Sequence, residues 1–234
     1  MEIKVFGSGS KGNCFLVKVK NKFGLIECGL PFKEIQKKLF DLNLTFADID
    51  FCFVSHEHRD HCRAIEKVIQ KAVSIFLSEG TKTALKLPNY WNINVVKSFD
   101  PWLTDTKDVK LNFFPLKHDA LEPIGLVIDT ATERLVYVAD TAYIPFVFKK
   151  VTHLIVECNF CEDLILKSNQ SASLKKRILK SHLGLKGLVK FLEKNDLSSL
   201  KQAWIVHLSD THADRERILK EINKIIKKGE IICC

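Results

Sequence analysis

The sequence predicts a mixed α/β fold. Apolar runs of strand length alternate with stretches of helical spacing, and no repeat, low-complexity linker or Pro/Gly-rich break interrupts them. Several of the strand-like runs stop at a histidine or an aspartate. Chemistry gathered at strand ends, on loops held by a rigid sheet, is the usual location of an active site.

The elements follow in order. Glu2, Ile3, Lys4, Val5 and Phe6 alternate polar and apolar, as an amphipathic strand does. Strands are predicted next at 14–20 and 23–27, and Ile35, Leu39 and Leu42 then recur at helical spacing. Residues 49–54 are apolar apart from Asp50 and read as a buried strand. Further strands are predicted at 73–77, 109–116, 124–129, 134–139, 153–157 and 203–207. Helical periodicity returns at Leu185, Leu188, Val189 and Leu192, and again at Ile218, Leu219, Ile222, Ile225 and Ile226.

Composition narrows the class. The chain has 234 residues, 46% hydrophobic and 27% charged, as soluble globular proteins do, and is read as one domain over 1–234. No apolar run approaches the ~20 residues that span a bilayer, so no membrane partner is expected. The start lacks the basic and apolar blocks of a signal peptide, so a cytoplasmic location is expected. The eight cysteines then read as reduced thiols. Cys158 and Cys161 form a lone CxxC, short of the four ligands of a structural zinc, and read as buried thiols. The net charge is +8, much of it on Lys-rich helical stretches at 33–38, 175–180 and 220–228. A basic surface favours polyanionic partners, although no RNP motif, zinc finger or Arg-rich tail accompanies it.

The densest chemistry is the hexapeptide His56-Glu57-His58-Arg59-Asp60-His61, directly after the strand at 49–54. Further strands end at His118, Asp140 and His207. His56, His58, His61, His118, His207, Asp60 and Asp140 can give each of two metal ions three private ligands and one shared carboxylate. Imidazole and carboxylate donors suit zinc, with manganese as the alternative. A position left open for water marks a catalytic site, and two metals can make a hydroxide near neutral pH and clamp a displacement.

These residues resemble the metallo-β-lactamase fold superfamily, whose HxHxDH signature is matched by His56, His58, Asp60 and His61. The downstream motifs match in order at His118, Asp140 and His207, so the resemblance covers nearly the whole chain. More narrowly, the chain resembles the YycJ (WalJ)-like branch of bacterial nucleases, which has small phage-encoded relatives. That likeness rests on the segment at 7–14, on His118-Asp119-Ala120 with Pro123-Ile124-Gly125, and on Ala139-Asp140-Thr141. Val156-Glu157-Cys158-Asn159, Ser181-His182-Leu183 and His207-Leu208-Ser209 complete it.

The resemblance implies a four-layer αββα sandwich: two mixed sheets face to face, helices outside, metals at one edge. One metal would take His56, His58 and His118, the other Asp60, His61 and His207. Asp140 would bridge them, together with a hydroxide as nucleophile. His182 matches a histidine that protonates the leaving group or grips the phosphate in phosphodiesterase members. Asp60, Asp140 and His182 are thus the catalytic candidates. Glu27, Glu157 and Asn159 fall where the family orients its ligands from behind. Relatives usually carry Asp where this chain has Glu27, and the longer arm is expected to accept the same hydrogen bonds.

Other positions have plainer readings. His153 reads as structural, and His212 as a residue at a helix start or facing solvent. The turn at 7–13 could cradle a phosphate on backbone N–H groups, with Ser8, Ser10, Lys11 and Asn13 as its contacts. Lys117 and Arg59 are weaker candidates of the same kind. The expected activity is a dinuclear hydrolase of phosphodiesters, foremost an exonuclease on nucleic acid. The alternatives are a phosphodiesterase of small cyclic nucleotides, then a lactonase or thioesterase, then a metal-binding protein without turnover. Oligomeric state is left open, with a homodimer as one option.

Overall fold

The computed structural model describes residues 1–103 and 107–234. In chain order the elements are β1 (Glu2–Gly7), β2 (Cys14–Val19), β3 (Lys22–Ile26), α1 (Phe32–Phe40), β4 (Ile49–Phe53), α2 (Arg59–Cys62) and α3 (Ile65–Ile69). They continue with β5 (Ser74–Ser78), α4 (Glu79–Ala84), β6 (Ile93–Val96), β7 (Trp102–Leu103), β8 (Lys110–Pro115), β9 (Ile124–Asp129) and β10 (Arg134–Val138). The last are β11 (His153–Glu157), α5 (Glu162–Lys167), α6 (Ala172–Ser181), α7 (Leu185–Lys194), β12 (Gln202–Val206), α8 (Arg215–Ile225) and β13 (Glu230–Cys233). The chain divides into two compact units, the first built mainly from residues 1–100 and the second mainly from 125–234.

The first unit carries a sheet of order β1-β2-β3-β4-β5-β6. Its β1–β2–β3 meander is antiparallel, and β3, β4, β5 and β6 run parallel. Parallel strands covered on both faces read as continuous apolar runs, and side-chain alternation sorts those runs by face. Leu25, Cys52, Val54, Ile75 and Leu77 join Ile35 and Leu39 of α1 and Val68 of α3 in one buried cluster. The alternate residues Phe53 and Phe76 stack on Phe113 instead, with ring centroids 6.0 and 6.3 Å apart.

The second sheet has the order β13-β12-β11-β10-β9-β8-β7. Strands β10 to β13 are parallel, while β9 and β10 form an antiparallel pair. Residues 135–139, 154–156 and 203–206 are fully buried, which explains their unbroken apolar sequence. Leu188 and Leu192 of α7 and Ile218 and Ile222 of α8 bury the apolar faces that their spacing predicts. The first sheet is covered by α1 and α3, and α7 packs on α8 in the second unit. Mixed sheets with helices outside them are the expected α/β class.

Some expectations need correction. α1 stops at Phe40, leaving Leu42 exposed. α8 starts at Arg215 under an Asp214 cap, so His212 is not at a helix start. His212 is buried, and its carbonyl accepts from the Cys161 N–H at 2.7 Å. Cys158 and Cys161 are buried free thiols whose pKa burial pushes up. No helix among the described residues is long and apolar enough to cross a membrane.

His153 is buried, with Nδ1 2.9 Å from Thr152 Oγ1 and its ring over Trp204. Burial pulls its pKa down to about 4. A depressed histidine pKa favours the folded state above the unfolded value of about 6.5, and that stability is lost as pH falls from about 6.5 to about 4. The full effect is roughly 3 kcal/mol. Replacing His153 with Leu should therefore flatten the acid limb of stability between pH 6.5 and 4, read by urea denaturation at each pH.

Candidate metal centre

The first unit supplies the hexapeptide. β4 delivers the chain to Ser55, and α2 begins one residue after His58. His56 and His61 are fully buried, and their rings lie 4.2 Å apart between centroids. His58 caps α2, with its ring 4.6 Å from that of His56. Behind them sits Glu27, which is fully buried. Its Oε1 is 3.3 Å from His61 Nδ1, and its carboxylate accepts the Ser55 N–H at 3.2–3.3 Å. Ser55 Oγ lies 2.9 Å from His56 Nδ1 and 3.4 Å from His61 Nδ1. Both imidazoles are thus held at Nδ1, the usual way a protein orients a metal-binding histidine from behind. Glu27 contacts both Ser55 and His61, and Ser55 is a partner that the motif did not name.

Glu27 stands one residue past β3 with φ of 64°. The left-handed region costs a side-chain-bearing residue about 1–2 kcal/mol. The turn that follows is stitched into the motif: Cys28 N–H donates to the His61 carbonyl at 2.9 Å, and Ala64 N–H to that of Cys28 at 2.9 Å. Gly29 makes the packing possible, since a Cβ there would sit 1.7 Å from the Asp60 carbonyl oxygen.

The turn at 7–13 joins the same network. Asn13 N–H donates to the Asp60 carbonyl at 2.7 Å, and Asn13 Oδ1 accepts from Gly9 N–H at 2.9 Å. Its Nδ2 lies 3.3 Å from the Asp60 carbonyl and 3.1 Å from His61 Nε2. Asn13 is buried, and its amide is committed to shaping the turn, so its place is structural and not that of a surface phosphate contact. Ser10 and Lys11 are exposed, and Ser8 is half-buried.

The second unit brings together His118, Asp140, Glu157, His182 and His207. Ligand-type atoms of Asp140, Glu157, His182 and His207 all lie within 4.8 Å of one another. His118 Nδ1 is 2.7 Å from the Ser181 carbonyl, which aims Nε2 at Asp140 Oδ2, 3.5 Å away. Burial lowers the His118 pKa, keeping it in the neutral form that a ligand needs. Glu157 is fully buried at the end of β11 and organises the group. Its Oε1 lies 2.6 Å from His182 Nδ1 and 3.1 Å from His207 Nδ1, while Oε2 accepts from Thr141 N–H and Leu183 N–H at 3.1 Å each. Burial opposes the charge on Glu157, but His182 outweighs it and holds the pKa below the ordinary carboxylate range. The same pairing raises the His182 pKa against its own burial. Asn159 donates from Nδ2 to the His207 carbonyl at 3.0 Å. Asp140 and His207 stand just past their strands with φ of 54° and 56°, in the left-handed region that Asp and His tolerate best after glycine and Asn.

The donor chemistry of each unit fits divalent metal. His56 and His58, Asp60 and His61, and His118 and Asp140 are pairs of imidazole or carboxylate donors within 4.8 Å. Imidazoles oriented from behind by carboxylates and hydroxyls are the donors that zinc and its neighbours select. Lys117 is exposed, and its N–H donates to Thr141 Oγ1 at 3.0 Å.

Because Gly29 meets backbone and not a movable side chain, Gly29→Ala should displace Asp60. A loss of about 1–3 kcal/mol is expected. The melting temperature should fall by about 2–4 °C per kcal/mol. Bound metal per chain should fall with it. An unchanged melting temperature and metal content would overturn the packing argument.

Comparison with known proteins agrees with this architecture. The model of a beta-lactamase superfamily domain matches residues 25–208. An exodeoxyribonuclease WalJ of Streptococcus pneumoniae is 25% identical over 231 residues, covering 93% of this chain and 83% of that protein. An exodeoxyribonuclease YycJ of Bacillus anthracis is 23% identical over 238 residues, covering 97% and 90%. Among solved structures, the metallo-beta-lactamase fold protein YhfI of Bacillus subtilis superposes with a TM-score of 0.74 at 16% identity, covering 99% of this chain and 95% of that one. The chain therefore belongs to the beta-lactamase superfamily, with the metallo-β-lactamase fold and a YycJ-like sequence.

Proposed function

We propose that this chain is a dinuclear metal-dependent phosphodiesterase that shortens nucleic acid from an end, with 1–234 acting as one hydrolase domain. The observation that carries the reading is the Glu157–His182 pair beside Asp140. His182 is held by Nδ1 at 2.6 Å from a buried carboxylate, keeps 18% of its side chain exposed, and lies 3.8 Å from Asp140 Oδ1. An ester or lactone hydrolase that expels a stabilised leaving group has less need of a cationic imidazole at this place. The net charge of +8 and the exodeoxyribonuclease names of the YycJ and WalJ relatives support a nucleic acid substrate.

His56, His58 and His118 would hold one cation, and Asp60, His61 and His207 the other, with Asp140 shared. Zinc suits these donors, with manganese as the competing ion. Two such cations acidify water and offset charge on the phosphoryl oxygens. The protein's own residues do the rest. Glu27 and Ser55 orient the imidazoles of the first unit, and Glu157 those of the second. His182, whose pKa Glu157 raises against burial, would give its Nε2 proton to the departing oxygen. The turn at 7–13 offers Ser8, Ser10 and Lys11 as polar contacts to phosphates of the substrate.

The test is hydrolysis by protein loaded with zinc or with manganese, on end-labelled DNA and RNA and on bis(p-nitrophenyl) phosphate. Metal-dependent shortening of a polymer from one end is expected, absent in an Asp60→Ala, His61→Ala double variant. Inactivity on every phosphodiester would overturn the reading. His182→Ala should lower kcat on nucleic acid by about 10²–10⁴. The loss on bis(p-nitrophenyl) phosphate, whose leaving group needs no proton, should be far smaller. Glu27→Gln should weaken zinc binding by about 10–100-fold, read by competition with a chromophoric chelator.

A further inference from the structure

We infer that the first unit carries a track for a nucleic acid strand, running from Asp60 past Arg63 to Phe32, that grips phosphates other than the one being cut. The inference rests on the phosphodiesterase reading and assigns the surface on which the polymer would lie. Two open grooves of about 330 Å³ each meet at Arg63. Ser10, Lys11, Gly29, Arg59, Asp60 and Arg63 line the first. The second continues along Phe32, Lys33 and Lys67. Each has room for a nucleotide-sized group.

Asp60 and Glu66 also line these grooves, but among the described residues neither forms an ion pair with the cations of the strip. Among the described residues, Lys11, Arg59 and Arg63 have no carboxylate within 4.0 Å. Elsewhere Arg134, Arg177, Arg217 and Lys201 are each paired to a carboxylate at 2.6–2.8 Å. Unpaired like charges that share a groove repel one another, and a polyanion relieves that repulsion. Guanidinium matches phosphate with two parallel hydrogen bonds. The turn adds donors: among the described residues, the N–H groups of Ser10 and Lys11 have no acceptor within the chain. At the far end, Lys67 Nζ lies 5.9 Å from the centroid of the Phe32 ring, which itself stacks on Phe46 at 4.8 Å, so the packed ring holds that cation at the groove. Asp60 belongs to the first groove, so a strand lying here has one phosphate at the metal ligands and its neighbours on the basic strip.

The test is binding of a phosphorothioate-linked single-stranded oligonucleotide to the metal-loaded protein across a salt series. Lys11→Gln, Arg63→Gln should reduce the slope of log Kd against log salt by about 1.4, about 0.7 for each cation removed from a phosphate of a single strand. A Lys175→Gln, Lys176→Gln variant on α6 carries the same charge change and should leave the slope at the wild-type value. An equal reduction in both variants would overturn the track in favour of a diffuse field. An unchanged slope in the groove variant, with DNA hydrolysis intact in the wild type, would overturn the track alone. Absence of polymer hydrolysis by the wild type would overturn both the track and the activity it serves.

Discussion

Each unit is organised around one buried carboxylate. Glu27 and Glu157 are both fully excluded from solvent, and an isolated carboxylate in such a place costs several kcal/mol. Neither is isolated. Glu27 takes His61 Nδ1 and the Ser55 N–H, and Glu157 takes two imidazoles and two backbone N–H groups. Their stability therefore depends on the histidines staying in one orientation. The same bonds that make the carboxylates tolerable hold the rings from behind.

The backbone meets this demand at strand ends. Glu27, Asp140 and His207 each follow a strand and turn into the left-handed region, which bends the chain sharply. For Asp140 and His207 the conformation is inexpensive. For Glu27 it is strained, and strain of this kind persists only where surrounding contacts over-determine it. Here those contacts are Ser55, His61 and the Cys28–His61 and Ala64–Cys28 backbone bonds. Gly29 belongs to the same constraint, because the Asp60 carbonyl occupies the space of a side chain.

The strands that deliver these residues are rigid because they are buried on both faces. β4 sends Cys52 toward the α1 and α3 face and Phe53 toward the Phe76–Phe113 stack. β11 is buried along its whole length. A displacement of Glu27 or Glu157 would thus have to move a packed core, and close-packed interiors resist such shifts. Precise chemistry at the strand ends and apolar monotony within the strands are two sides of one arrangement.

The α/β class, the principal strands and the candidate metal-ligand residue types were legible in the chain, since burial on both faces writes unbroken apolar runs and the hexapeptide is too dense to be accidental. Short or peripheral strands such as β6, β7 and β13 were not, because a few residues at a sheet's margin carry little periodicity. Ser55 was illegible too, since a lone serine after a strand looks like any turn residue. Asn13 looked like a surface contact and proved to be a buried brace, and His212 looked like a helix start and proved buried. Tertiary structure decided those roles, along with the pairing of Glu157 to both His182 and His207, 25 and 50 residues away in sequence. The physical reason is that a residue type announces what it can donate or accept, whereas which partner it meets is set by the packing of strands far apart in the chain.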